Sequence, residues 1–109
     1  MIITTTNNVE GARIDEYLQL VSVNVVIGTN FFSDWMASVT DIFGGTSSTY
    51  QRKLDSVYEE AVKRIEKKAS KLGADAVIGL KMDFGEVSGK DKSMFMVSAV
   101  GTAVRLRRM

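Results

Sequence analysis

Residues 48–73 read STYQRKLDSVYEEAVKRIEKKASKLG, and this stretch decides the fold. Its apolar residues recur every three or four positions, which is the pattern of one buried helical face. Ser48 and Gln51 have the spacing of a capping box, and Gly73 stands where a helix ends on a left-handed residue. The stretch predicts a helix of roughly 24 residues, about 36 Å long. Its apolar face holds Tyr50, Leu54, Val57, Tyr58, Ala61, Ile65, Ala69 and Leu72, and its outer face holds Lys53, Glu60, Lys63, Lys67 and Lys71.

Strand-like segments flank this helix on both sides. The segments 14–27 and 94–106 have apolar residues at both odd and even positions, which predicts burial of both faces. The segment 76–84 alternates, and a polar loop at 89–92 predicts a hairpin between it and the last strand. The β-branched residues 2–5 predict a short first strand. On the segment 76–84, one predicted face has Ala76, Ile78, Leu80, Met82 and Phe84.

These elements predict an α+β fold in which one long helix packs on an antiparallel sheet. Residues 31–43 predict a second, shorter helix whose aromatic stripe includes Phe31, Phe32 and Trp35. One long helix covers only one face of a sheet, so the second face and this stripe both need cover. Either the short helix packs on the second face of its own sheet, or this surface meets other copies of the chain. Self-assembly is the favoured interpretation, and symmetry statistics alone would favour a dimer.

The composition narrows the classes of function. A chain of 109 residues suits one domain, spanning residues 1–109, and its net charge of +1 gives no general attraction to nucleic acid or anionic membranes. The first residues lack a signal-peptide pattern, and no apolar run is long enough to span a membrane, so we expect a soluble, cytoplasmic protein. The sequence has no histidine and no cysteine, which removes the commonest acid–base and nucleophilic groups.

One candidate binding motif is the loop before the long helix. Its glycine-rich opening, Gly44 and Gly45 followed by Ser47 and Ser48, could present main-chain N–H groups to an anion. It lacks the Gly-Lys-Ser/Thr ending of a phosphate-binding P-loop. The favoured interpretation is a helix terminated by glycine and followed by a capped helix.

Metal candidates are few. Asp34 and Asp41 lie on one side of the predicted short helix, about 10 Å apart along its axis, which is too far for one ion without other ligands. Met94 and Met96 share one face of the last strand, with Met82 on the predicted neighbouring strand, and could offer thioethers to Cu⁺. The favoured interpretations are a solvated carboxylate face and methionines that fill the core. No cofactor is expected.

Catalytic signatures are absent from the sequence. Serine catalysis lacks both a histidine and a Gly-x-Ser-x-Gly elbow. A Ser–Lys mechanism and paired-carboxylate hydrolysis remain formally open, without a motif for either.

A set of short motifs runs in order along nearly the whole chain. Each motif alone is unspecific, but the ordered set resembles the YbjQ-like family of uncharacterised bacterial proteins, also called UPF0145. The motifs are Thr4-Thr5, Glu10-Gly11, Asn30-Phe31-Phe32, the segment 41–45 with Ser47, Ser48 and Tyr50, and the segments 72–79 and 94–104.

The resemblance implies a dodecin-subunit-like core, in which a helix packs on an antiparallel sheet in a β-α-β-β arrangement. It also implies extra short strands and a ring-shaped pentamer, so the number five comes from the resemblance. The family carries a heavy-metal-binding label but no established activity. The expected function is a non-enzymatic, self-assembling module that binds a metal ion or a small ligand. The alternative is an enzyme that uses carboxylate or lysine groups at subunit junctions.

Overall fold

A computed structural model describes the backbone of residues 1–27, 46–89 and 92–109, and the side chains of residues 1–26, 55–85 and 96–109. Within these ranges the chain forms four strands and one helix. The elements in chain order are β1 (Ile2–Ile3), β2 (Ala12–Ile27), α1 (Thr46–Lys71), β3 (Ala76–Gly89) and β4 (Lys92–Arg108). The helix predicted at 31–43 lies outside the described residues.

The strands form one sheet in the order β1-β3-β4-β2. The hairpin predicted between the last two strands is confirmed, because β3 and β4 pair antiparallel and Gly89 lies opposite Lys92. β4 also pairs antiparallel with β2, but β1 pairs parallel with β3. The sheet is therefore mixed: β2, β3 and β4 form the predicted antiparallel sheet, and the short first strand adds a parallel pair at its edge. The reason is the short segment after β1, which carries Val9 across the sheet before β2 begins on the opposite edge.

The main core lies between α1 and one face of the sheet. Ala61, Ile65 and Ala69 are fully buried and follow one another at helical spacing, which confirms this part of the predicted apolar face. They pack on residues that alternate along the strands, and burial of a side chain such as Ile65 contributes about 1.5–3 kcal/mol. The strand residues of this core are Val21, Val23 and Val25 of β2, Val77 and Leu80 of β3, and Val97, Ala99 and Ala103 of β4.

The C-terminus of α1 is closed as predicted. Gly73 has a φ of 76°, its N–H donates to the carbonyl of Ser70 (3.0 Å), and the N–H of Ala74 donates to the carbonyl of Ala69 (3.1 Å). This pair of bonds is the Schellman motif, which requires a left-handed residue at the glycine position.

The N-terminus of α1 differs from the prediction. The helix already includes Thr46, so Ser48 lies within its first turn and is not the capping residue. The spacing from Ser48 to Gln51 therefore predicted a capping box at a position that lies inside the helix.

A β-bulge in β3 changes which residues face the helix. Ile78 pairs with Thr102 and Lys81 pairs with Val100, so Gly79 and Leu80 together oppose one residue of β4. Gly79 has a φ of 60°, as in bulges that begin with a left-handed glycine. The predicted face of five alternating residues was therefore wrong, because it is split at the bulge: Leu80 packs towards the helix, whereas Ile78 packs on the other side of the sheet.

A second, smaller cluster lies on the side of the sheet away from the helix. Ala76, Ile78 and Val104 form its buried centre, and Val9, Ile14 and Leu106 pack against it. This cluster buries the second face of the sheet only near the start of β3. No helix among the described residues is long and apolar enough to span a membrane.

Candidate functional site

On the side of the sheet away from the helix, the described residues beyond the small cluster leave the surface uncovered. We call this surface the open face; it consists of Leu20, Ser22, Asn24 and Val26 of β2, Met96, Ser98 and Val100 of β4, and Lys81 and Asp83 of β3. Large apolar side chains lie exposed there: Leu20 is 68% exposed, Val26 is 55% exposed and Val100 is 38% exposed. Single exposed apolar residues are ordinary, but neighbouring ones on adjacent strands mark a surface suited to association.

The open face has a polar centre between its apolar residues. Asn24 of β2 and Ser98 of β4 are cross-strand neighbours, and the Ser98 hydroxyl donates to Oδ1 of Asn24 over 2.8 Å. This hydrogen bond joins the two strands and leaves the Asn24 amide N–H groups for a further partner. Among the described residues, the prediction that β2 and β4 are buried on both faces holds only beside the small cluster, because Val104 is buried there while Leu20 and Val26 stay exposed.

A groove runs along the other side of β2, between this edge strand and α1. It contains two adjoining cavities of about 280 Å³ and about 400 Å³. Lys68 and Lys71 line both cavities, and Arg64 and Lys67 line the smaller one. The Lys68 ammonium donates to the main-chain carbonyl of Ser22 over 2.7 Å. The sequence placed Lys67 and Lys71 on the outer face of the helix, and the structure adds that this part of the face borders the edge strand.

The predicted anion loop is only partly described. Gly44 and Gly45 lie outside the described residues. Ser47 and Ser48 belong to the first turn of α1, and their side chains lie outside the described part as well. The anion loop therefore stays a prediction.

The predicted metal-binding residues are also only partly described. Asp34 and Asp41 lie outside the described residues, as does the side chain of Met94. Met96 is half-buried on the open face, opposite Val26, whereas Met82 packs into the core beneath the helix. Met82 and Met96 thus lie on opposite faces of the sheet, so the idea that both contribute to one thioether site was wrong. Among the described side chains, no three His, Cys, Asp or Glu residues come together as a metal site.

Comparison with known proteins gives a consistent result over nearly the whole chain. Residues 1–107 match the YbjQ family model described as "Putative heavy-metal-binding". The chain is 49% identical over 107 residues to a UPF0145 protein of Actinobacillus pleuropneumoniae serotype 5b, covering 98% of this chain and 100% of that protein. It is also 49% identical over 107 residues to UPF0145 protein GK1405 of Geobacillus kaustophilus, covering 98% of this chain and 99% of that one.

One solved structure shares the fold. It is a crystal structure of a protein of unknown function from Pediococcus pentosaceus, described as a member of the DUF74 family. The two chains superpose with a TM-score of 0.66, and the match covers 98% of each chain at 22% sequence identity. At this identity the likeness establishes a shared fold and carries no activity with it.

Proposed function

Starting from the fact that this chain belongs to the YbjQ-like (UPF0145) family, a family without a characterised activity, we propose that it is a self-assembling binding module rather than an enzyme. The proposed assembly is a ring-shaped pentamer of subunits with a dodecin-like core. The connectivity supports this core: β2, α1, β3 and β4 follow one another as β-α-β-β, and β4 lies between β3 and β2 in the sheet.

The observation that carries the proposal is the open face. Leu20, Val26 and Val100 are large apolar side chains that the described part of the chain leaves exposed on adjacent strands. Burying each of them between subunits would contribute about 1.5–3 kcal/mol before the cost of association. The Asn24–Ser98 pair at the centre would give the contact polar specificity.

The heavy-metal label of the family does not fit the donors of this chain. Soft and borderline metals such as Zn²⁺ and Cd²⁺ are held by cysteine thiolates and histidine imidazoles, and the sequence contains neither. Methionine thioethers remain, but Met82 and Met96 lie on opposite faces of the sheet. We therefore propose a small molecule, rather than a soft metal ion, as the ligand.

The enzymatic alternative has one observation in its favour. Lys81 and Asp83 are exposed on the open face, so a junction formed there would bring a lysine and a carboxylate to the subunit boundary. If this alternative holds, Lys81→Ala and Asp83→Ala would abolish a turnover that the native assembly shows.

Light scattering coupled to size-exclusion chromatography tests the assembly. A pentamer of the 12.0 kDa chain has a mass of about 60 kDa, and we expect this mass to persist on dilution into the micromolar range. Val26→Lys and Val100→Lys should lower it, because each would bury a charge without a partner. Gln19→Lys is the matched control: it adds the same charge to β2 on the side of Ala103, away from the open face. A stable monomer of 12.0 kDa would contradict the proposal.

Val97 differs from Val26 and Val100, because its side chain does not lie on the open face. Val97 lies on the same strand as Val100 but is buried beneath the helix, within the core of its own chain. A charge at Val97 would disrupt folding whether or not the chain assembles, so it cannot test the assembly.

A further inference from the structure

We propose that the groove between α1 and β2 binds a small organic phosphate. We call this surface the basic groove; it is lined by Arg64, Lys67, Lys68 and Lys71 of α1 and by the edge strand β2 from Gln19 to Asn24. This inference rests on the proposal that the chain is a binding module, and it names the class of ligand and the residues that hold it.

Four cations lie along one side of α1. Arg64, Lys67, Lys68 and Lys71 follow the spacing i, i+3, i+4 and i+7, which aligns them on one helical stripe. Their Cα atoms span about 10 Å of the helix axis. Like charges at these spacings repel one another and weaken the helix, so the stripe works against the stability of α1 unless an anion joins it.

Among the described side chains, the acidic residues of the helix pair with only one cation of this stripe. Arg64 has a carboxylate partner in Glu60, at 3.1 Å. Glu66 instead lies 4.0 Å from the N-terminal ammonium of Met1. Within the described side chains, Lys67, Lys68 and Lys71 form no ion pair, and no carboxylate lines either cavity of the basic groove.

The helix dipole accounts for only part of the pattern. Cations are favoured in the last turn of a helix, which explains Lys68 and Lys71. The effect falls away within that turn, so it does not explain Arg64 and Lys67 further back. It also does not explain why all four cations lie beside the same edge strand.

The Lys68 side chain is held against the edge strand of the groove by one hydrogen bond. Its ammonium donates to the carbonyl of Ser22 over 2.7 Å, which ties the side chain across the groove. A lysine ammonium has three N–H donors, so two remain for an anion. The Lys68 side chain therefore has less conformational freedom to lose on binding than a free surface lysine.

The two cavities differ in chemistry, and this difference defines the ligand class. The smaller cavity, about 280 Å³, contains Arg64 and Lys67 in addition to the shared Lys68 and Lys71, and suits a doubly charged head group. The larger cavity, about 400 Å³, is also lined by Val21, Leu72 and Gln19, and suits an uncharged organic body. A phosphate monoester of a small molecule has both parts, and the volumes are of the size that small ligands occupy.

Isothermal titration calorimetry on the full chain tests this proposal with phenyl phosphate as the probe. We expect saturable binding of phenyl phosphate, weaker binding of inorganic phosphate, which lacks the organic body, and no binding of phenol, which lacks the charge. Lys71→Gln and Lys68→Gln should each weaken phenyl phosphate binding by about tenfold or more. Lys71→Gln is the more informative variant, because Lys68→Gln also removes the hydrogen bond to Ser22.

Lys63→Gln is the matched control. It removes the same charge from the same helix, but Lys63 lines a separate pocket with Tyr58 and Glu59 and lines neither cavity of the basic groove. The affinity of Lys63→Gln for phenyl phosphate should equal that of the native chain. An equal loss in Lys63→Gln and Lys71→Gln would show a general effect of net charge and would overturn the proposal. Tighter binding of a short oligothymidylate than of phenyl phosphate would also overturn it, since the groove would then select a polyanionic chain.

Light scattering in the same buffer separates this inference from the proposed assembly. An oligomer that does not bind phenyl phosphate would overturn the ligand assignment and leave the assembly standing. A monomer that binds phenyl phosphate with the expected loss in Lys71→Gln would support the basic groove and overturn the assembly alone.

Discussion

At the scale of single residues, Gly73 connects the helix to the sheet. Its left-handed conformation lets the Schellman bonds close α1, and Asp75 begins the next contact two residues later. The Asp75 N–H donates to the carbonyl of Val104, and its carboxylate accepts the N–H of Leu106. The side chain of Arg105 lies against Gly73, so the glycine also leaves room for a neighbour from β4. The chain reversal between α1 and β3 therefore depends on a residue without a side chain.

Gly73→Val should lower the free energy of unfolding by at least about 1 kcal/mol, because a β-branched residue resists positive φ. The built Cβ would also lie 3.0 Å from Nη2 of Arg105. Urea unfolding followed by circular dichroism measures the change. Gly73→Asn is the control, since asparagine tolerates the left-handed conformation and should lose less. Equal stability of the native chain and the valine variant would show that the helix does not depend on this conformation.

At the scale of elements, the sequence predicts which helices and strands form better than it predicts irregularities within them. The long helix, the three long strands and the final hairpin were all predicted, because hydrophobic periodicity over many residues outweighs local ambiguity. The bulge was missed, since Ala76, Ile78 and Leu80 alternate smoothly in the sequence while the backbone inserts an extra residue at Gly79. The isolated glycine within a strand was the available signal.

The basic groove shows a second limit of prediction from the sequence, again at the scale of elements. The spacing of Arg64, Lys67, Lys68 and Lys71 is visible in the sequence, but their position beside β2 is set by how the helix lies on the sheet. Helical periodicity gives the angle of a residue around its own helix. It does not say which neighbouring element that angle faces. The open face was foreseen more closely, because apolar residues on both faces of β2 already predicted a surface in need of cover.

Gly101→Val should destabilise the sheet at the bulge by about 1–3 kcal/mol, through overpacking. Gly101 lies opposite the two bulged residues, and a Cβ built there would lie 2.6 Å from Cγ1 of Val77 and 3.3 Å from the carbonyl oxygen of Ile78. Denaturant unfolding measures the loss. Gly85→Val is the matched control, because Gly85 is a strand glycine of β3 with open space around its Cβ position. A Gly101 variant as stable as the Gly85 variant would argue against the tight packing at the bulge.

At the scale of the whole molecule, the family and the chemistry of this chain disagree. The family description names heavy metals, and the chain matches that family over residues 1–107. A family label applies to a set of sequences, whereas metal binding depends on the donor atoms that each member carries. This chain has no thiolate and no imidazole, but it has a cationic groove and an apolar open face. Both surfaces support the proposal of an assembled module that binds an anionic small molecule.

Elemental analysis tests whether this chain binds a heavy metal, as the family description states, or binds none, as its donor atoms predict. We expect the protein, purified without added metal or chelator, to hold no stoichiometric zinc or copper, because Zn²⁺ sites in proteins use mainly cysteine and histidine and this chain has neither. Mass spectrometry of the metal content per chain, with native mass spectrometry of the intact assembly, makes the measurement. About one tightly held zinc per chain would contradict the prediction and restore the family description. Such a zinc would have to be held by carboxylates, and Asp34→Ala and Asp41→Ala would then be the first variants to test for its loss.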